Sequence, residues 1–276
     1  MDSPNFILLH WRNESLSFHT NLSVLHRKAD TEATHDIRVA FKKLRAYARL
    51  LVAILPEKAV KVDFPATEDL FRVLGKQRDL EICQELLHRY ESNGDRYSEL
   101  KEYFETGLKQ ARRWSRQAIR DYDTAEIADA ETRVLNATST ISVETLAERT
   151  VELIRSSFFG CEMYFPTPHK LRQNLKNVFY WVRILPSGHG LESLGDELHD
   201  VLDELGGWQD RQVFAIRTRH YRRDHVPKPL KAYARLKKLE EKNRVLAEGL
   251  LDSALKKLSR LLKSKAGGGK GAATSV

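Results

Sequence analysis

The chain has 276 residues, of which 41% are hydrophobic and 30% are charged, so it can bury a core and remain soluble in water. The chain contains only 14 glycines and 8 prolines, and so few turn-forming residues favour long helices over many short strands. The net charge of +8 indicates either an anionic partner or no more than solubility, and the distribution of the charge has to decide between them.

Neither the cysteines nor the first residues indicate export. Cys83 and Cys161 lie far apart without a metal-binding spacing, so neither a disulfide framework nor a zinc site is expected. The apolar run 6–9 has no basic residue before it, and no stretch of about 18 apolar residues occurs. We therefore expect a cytoplasmic protein with no membrane contact.

Turn residues divide the chain into predicted helices. In the first half, helices are predicted at about 5–28, 34–55, 66–91 and 96–122, with a turn at Ser92-Asn93-Gly94-Asp95. The acidic stretch at about 123–142 is predicted to be a connector, in part helical. In the second half, helices are predicted at about 143–160, 168–185, 190–221 and 229–263, with Thr167 capping the second of them. Residues 266–276 are predicted to be a disordered tail.

Two motifs occur twice, in the same order. His35-Asp36-Ile37-Arg38 recurs as His169-Lys170-Leu171-Arg172, and Leu74-Gly75 with the following Asp79 recurs as Leu205-Gly206 with Asp210. This indicates a tandem duplication, with halves at about 1–135 and 136–265. Because each half has four predicted helices joined by short loops, we expect an all-α fold of two four-helix bundles related by an internal pseudo-two-fold repeat.

A row of basic residues follows one side of each repeated helix. At about 100° per residue, an arc of about 80° holds the cations, and the apolar residues occupy a neighbouring face. Like charges three and four residues apart repel, so the row should bind an anion unless carboxylates of other helices neutralise it. The candidate binding residues are His35, Arg38, Lys42, Arg45 and Arg49 in the first half and His169, Arg172, Lys176 and Arg183 in the second.

The histidines and the motif aspartates each have a structural interpretation. Asp79 and Asp210 are expected to pair with an arginine of the row rather than to bind magnesium, which needs more carboxylates at helical spacing. His35 and His169 are placed in the first turn of their helices, where the helix dipole disfavours the imidazolium. A structural role fits these histidines better than a catalytic one, and we expect no catalytic residue, metal or cofactor.

A second basic face is predicted on the fourth helix. Lys109, Arg112, Arg113, Arg116 and Arg120 fall within a narrow arc of the helical wheel. A helical hairpin could bring this face beside the first row. Arg112, Arg113 and Arg116 are therefore added to the candidate anion-binding residues.

These motifs resemble those of CHAD domains, helical domains named for their histidines. Residues 35–51 and 74–82 resemble the signatures of the family's first half, and 168–185 and 202–210 resemble the corresponding second-half elements. The resemblance extends over about residues 5–260. It implies two four-helix bundles with a basic channel between them that binds inorganic polyphosphate, and it assigns that binding to the two basic rows.

The chain departs from the family pattern at a few positions. Lys42 and Lys43 stand where arginines are usual, which keeps the charge but loses the two-pronged grip on phosphate. Asn177 and Phe179 replace an expected basic pair, so the first half, which retains Arg45, is expected to bind phosphate more strongly. The ExExK signature of the triphosphatase that is sometimes fused to these domains does not occur.

The sequence thus predicts a non-enzymatic protein that binds inorganic polyphosphate, alone or in granules, through a basic groove formed by the two repeats. One alternative is an RNA-binding protein, which would need exposed aromatic residues for base stacking. Trp11, Trp114, Trp181 and Trp208 are explained by helix packing at least as well. The other alternative is a metal-dependent phosphohydrolase, for which the sequence shows no nucleophile or metal cluster.

Overall fold

A computed structural model describes residues 5–58, 60–91 and 96–268, and in these ranges the chain is built of helices joined by short loops. The helices are α1 (Phe6–Arg27), α2 (Thr31–Ile54), α3 (Pro65–Tyr90), α4 (Ser98–Asp121), α5 (Ala125–Thr138), α6 (Val143–Phe159), α7 (Pro168–Ile184), α8 (Glu192–His225) and α9 (Lys231–Gly268). Because these ranges contain no strand, the all-α prediction is confirmed. The predicted turn at 92–95 lies outside the described residues.

The start of α2 differs from the prediction because of its N-cap. The Asp30 carboxylate accepts a hydrogen bond from the Ala33 amide at 2.9 Å, and the helix begins at Thr31 rather than near residue 34. His35 therefore stands in the second turn, which corrects its predicted position in the first. His169 directly follows Pro168 and lies in the first turn of α7, as predicted.

The predicted connector contains a well-packed helix, α5. Ile127 and Val134 are buried, and α5 packs against α1. The Glu126 carboxylate accepts hydrogen bonds from the amides of Ala66 at 3.1 Å and Thr67 at 2.8 Å, at the start of α3. An acidic residue of the connector thus caps a helix that has no side-chain cap from its own N-cap residue, Phe64.

The chain separates into two compact units within α6. The first comprises 1–153 with 184–186, and the second comprises 154–183 with 187–276. The predicted repeat boundary at 135/136 lies earlier, within α5, which stays with the first unit because it packs on α1. The pseudo-two-fold relation between the repeats stays a prediction.

Aromatic side chains form much of the core of the first unit. The Trp11 ring lies 6.1 Å from the Phe64 ring, Phe41 lies 5.4 Å from Phe64, and Phe18 lies 6.5 Å from Phe41, measured between centroids. All four side chains are buried. They fix the apolar face of α2.

The second unit is built on the long pairing of α8 with α9. Asn243 is buried, and its amide donates to the Arg211 carbonyl at 2.9 Å. Nearby, Arg222 holds Glu240 through two hydrogen bonds. These polar contacts fix the register of the two helices.

The last helix continues further than predicted. α9 extends to Gly268, so 266–268 of the predicted disordered tail are helical, and 269–276 lie outside the described residues. Among the helices that the structure describes, none combines the length and the apolar character needed to cross a membrane.

Candidate functional site

Arg38, the arginine of the first repeated motif, is held in place by α3. Its Nη1 donates to the Phe71 carbonyl at 2.7 Å, and its Cζ lies 4.2 Å from the centre of the Phe71 ring. A Cβ on Gly75 would come within 2.9 Å of Nη1. The two motifs of the first half therefore fit together, because the glycine of the second makes room for the arginine of the first.

The rest of the first basic row continues along the same aromatic ring. Lys42 Nζ lies 6.0 Å and Arg45 Cζ 5.8 Å from the centre of Phe71. Arg45 also approaches the Glu68 carboxylate of α3 at 3.7 Å, so a carboxylate of another helix does contact the row. Cations over a ring face gain about 0.5–1 kcal/mol at exposed sites. The ring of Phe71 thus contacts three cations of the row, a role that the sequence did not indicate.

Arg49 is the last residue of this row, and it lies beside a cavity. It lines a cavity of about 330 Å³ together with Arg45 and Glu68. Burial lowers the pKa of Arg49, and the positive charge of Arg45 lowers it further. The two arginines therefore act on one another at this end of the row, as the spacing predicted.

His35 is exposed at the beginning of the row. Partial desolvation lowers its pKa, and the charges of Lys42 and Arg78 lower it further. The pKa of His35 is therefore shifted against the imidazolium, but through desolvation and neighbouring cations rather than through a first-turn position.

The second basic row, on α7, is arranged differently. Arg172 and Lys176 line an open cavity of about 330 Å³, together with Phe179 and Tyr180 of the same helix. The opposite wall belongs to α8 and includes Asp203. In the part of the chain that the structure describes, the buried Nε of Arg172 has no hydrogen-bond partner. Because Arg172 and Lys176 place two cations at one open cavity, the cavity is suited to an oxyanion.

The electrostatics of this cavity are set by burial and by α8. Burial lowers the pKa of Arg172, whereas Asp210 raises it. Burial, followed by the charge of Arg172, lowers the pKa of Lys176 to about 8, against the opposing effects of Asp210 and Asp203. In the first unit, Asp79 likewise raises the pKa of Arg38 against the effect of burial. Each motif aspartate thus acts electrostatically on the motif arginine of its own unit, and direct pairing stays a prediction.

The surroundings of the motif arginines differ at the glycines of the second motif, since Arg38 is enclosed and Arg172 lies at an open cavity. A Cβ on Gly206 would meet nothing within 4 Å, so Arg172 does not insert against this glycine as Arg38 does against Gly75. The space around Arg38 and Phe71 leaves no room for a water molecule, whereas the α7–α8 cavity is open. The duplicated motifs therefore no longer have the same surroundings.

The two remaining residues of the α7 row have local partners. His169 Nδ1 lies 3.1 Å from the Gln209 amide oxygen, and its Nε2 lies 2.8 Å from the Gln173 amide nitrogen. Arg183 donates to Asp196 at 2.7 Å, with its Cζ 5.3 Å from the Phe179 ring. The contacts of His169 agree with the structural role expected for it.

The basic face of α4 is divided among different surroundings. Arg112 approaches the buried carboxylate of Glu81 on α3 at 4.0 Å. Arg113 is exposed, and Arg116 lines a cavity with residues from the end of α1. The structure therefore does not gather these three predicted residues at one place.

Several residues of the site were not predicted from the sequence. The positive charge of Arg78 lowers the pKa of both His35 and Arg38. Asp203, His199 and Tyr180 line the cavity between α7 and α8. Arg78 stands within the repeated motif and was within reach of sequence reasoning, but the others carry no local signal. Among the described residues, no three or more His, Cys, Asp or Glu side chains are arranged to hold a metal ion.

The helical fold also occurs in a solved structure. The crystal structure of the CHAD domain from the plant Ricinus communis matches with a TM-score of 0.74 at 16% sequence identity, covering 92% of this chain and 90% of that chain. No curated protein matches the chain. At this identity the structural likeness shows the fold alone, but the family model of the CHAD domain matches residues 17–219. Since that match covers most of the sequence, this protein belongs to the CHAD domain family.

Proposed function

We propose that this chain binds inorganic polyphosphate, alone or in granules, through the basic rows of α2 and α7, without catalysis. The observation that carries the proposal is that two cations, Arg172 and Lys176, line one open cavity, while the buried Nε of Arg172 has no acceptor among the described residues. A phosphate in this cavity would accept hydrogen bonds from the guanidinium of Arg172 and from the ammonium of Lys176.

A linear polyanion suits the geometry of both rows. Basic residues one helical turn apart are separated by about 5.4 Å along the axis, which is longer than the distance between two phosphorus atoms that share a bridging oxygen, so alternate phosphates can meet successive cations. On α2, Lys42 and Arg45 present their charges above Phe71, while Arg38 is committed to the Phe71 carbonyl. We assign ligand contact to Lys42, Arg45, Arg49, Arg172 and Lys176, and a positioning role to Arg38.

The test is binding of long-chain polyphosphate to the full chain by calorimetry at several salt concentrations. The variant Lys42→Ala with Lys176→Ala should bind at least about tenfold more weakly, since it loses two charged contacts. Its affinity should also depend less steeply on salt, because fewer counterions are released on binding. Lys170→Ala with Lys256→Ala removes the same charge from exposed positions outside the rows and serves as the control.

Equal weakening in both double variants would reduce the proposal to a general attraction between charges. Phosphate release from polyphosphate, measured with and without a divalent metal, tests the non-catalytic part of the proposal. Release that depends on the chain and the metal would favour the phosphohydrolase instead.

One observation favours RNA as a second candidate ligand. Trp114 is 52% exposed, and the Lys76 ammonium lies 5.8 Å from the centre of its ring. Trp11 and Trp181 are buried and cannot stack on bases. Competition between single-stranded RNA and polyphosphate separates the two ligands: RNA binding that is lost in Trp114→Ala while polyphosphate binding persists would assign RNA to a different surface.

A further inference from the structure

Another basic cavity of the first unit, apart from the one beside Arg45 and Arg49, lies between the ends of α1 and α4. Its volume is about 320 Å³, the space of about ten water molecules. Leu25 and Ile119, both buried, form its apolar floor. The basic residues around it are His26, Arg27, Lys28, Arg116 and Arg120, and its described lining includes no residue of the α2 row.

The charge at this cavity is only partly compensated. Lys28 pairs with Asp30 at 2.8 Å, which offsets one of the four charges carried by the lysine and the arginines. The C-terminal ends of α1 and α4 together offset about one more. A net charge of about +2 remains at the cavity, before any contribution from His26.

The arginines at this cavity differ in the hydrogen bonds that they already make. Arg27 donates its Nε to the Ser23 carbonyl at 3.2 Å, and Arg120 donates to the Gln117 amide oxygen at 3.0 Å. Among the described residues, Arg116 has no hydrogen bond or ion pair. It also stands more than one turn before the end of α4, so the stabilisation of a helix end does not explain its position.

We propose that this cavity binds a compact polyvalent phosphate such as inorganic tripolyphosphate, at a site separate from the α2 and α7 rows. No Phe, Tyr or Trp side chain lines it in the part of the chain that the structure describes, so it lacks the large aromatic rings on which nucleobases usually stack. No carboxylate stands among the described lining residues either, which leaves the arginine donors available to phosphate oxygens.

The experiment is calorimetric titration of the full chain with tripolyphosphate. Arg116→Ala with Arg120→Ala should weaken one class of sites at least tenfold. Lys101→Ala with Lys109→Ala, which removes the same charge from exposed positions of the same helix outside the cavity, should stay within twofold of the wild type. Circular dichroism checks that both variants keep their helices.

Each outcome decides separately between this site and the proposed function. Equal weakening in the two α4 variants would overturn the cavity as a site, because only diffuse charge would then matter. Unchanged tripolyphosphate binding in Arg116→Ala with Arg120→Ala, together with a loss in Lys42→Ala with Lys176→Ala, would overturn the cavity and leave the proposed function intact. Retained cavity binding in the Lys42 and Lys176 variant supports two independent sites.

Discussion

Gly75 and Arg38 are fitted to one another, since a Cβ on residue 75 would lie 2.9 Å from the guanidinium Nη1 of Arg38. The same guanidinium donates to the Phe71 carbonyl one turn earlier on α3. Two motifs that are separate in the sequence are thus one packing arrangement, in which the absence of a side chain on α3 lets a charged group from α2 reach a backbone acceptor.

Substitution of Gly75 by alanine should therefore stabilise the protein less than the same change at Gly206. An alanine within a helix gains up to about 1 kcal/mol over glycine, and Gly206 has open space for the methyl group. At Gly75 the Arg38 side chain must move, which weakens its charged hydrogen bond. That loss of about 1–2 kcal/mol offsets the gain from alanine. Urea unfolding of Gly75→Ala and Gly206→Ala measures the difference. Equal free energies of unfolding would show that Arg38 adjusts without loss.

Much of the fold was predictable because local patterns determine it. The bounds of α3, α6 and α7 lie within a residue or two of the predicted ones, since prolines and apolar periodicity mark them. The packed state of α5 was not predicted, because it depends on burial against α1, which no local pattern shows. The basic rows were found from spacing, whereas the difference between Arg38 and Arg172 comes from contacts with another helix.

The histidine of the first row should contribute little to anion binding at neutral pH. The pKa of His35 is lowered by desolvation and by the neighbouring cations, so the ring is mostly uncharged near pH 7. His35→Gln should leave the polyphosphate affinity within about twofold of the wild type, whereas Lys42→Gln should lower it about fivefold or more. Calorimetry at pH 7 checks both. A large loss in His35→Gln would instead make the imidazole a ligand contact.

The connector helix should stabilise the first unit through Glu126. Its carboxylate caps the start of α3 by accepting from the amides of Ala66 and Thr67. Glu126→Ala should lower the free energy of unfolding by about 1–2 kcal/mol, the usual cost of losing a helix cap. Asp129→Ala, an exposed position on the same helix, is the control and should change stability by less than about 0.5 kcal/mol. Thermal or urea unfolding gives both values, and similar losses would deny Glu126 its capping role.

Polyphosphate binding by the second row should weaken as the pH rises above 8. Burial and the charge of Arg172 lower the pKa of Lys176 to about 8, while Asp203 and Asp210 oppose the shift and His199 lines the same cavity. Below pH 8 the amine is mostly an ammonium and can bind phosphate. Above pH 8 it is mostly neutral, so binding must first restore a proton.

Between pH 7 and pH 9 the ammonium fraction of the unliganded protein falls about tenfold, and the contribution of Lys176 to affinity should fall by a similar factor. An arginine remains protonated across this range, so Lys176→Arg should bind with a shallower dependence on pH than the wild type. Because the ligand titrates identically in both experiments, the difference between their pH profiles isolates Lys176. Parallel profiles for the two proteins would show that this amine does not contact the phosphate, and the α7 row would then act through Arg172 alone.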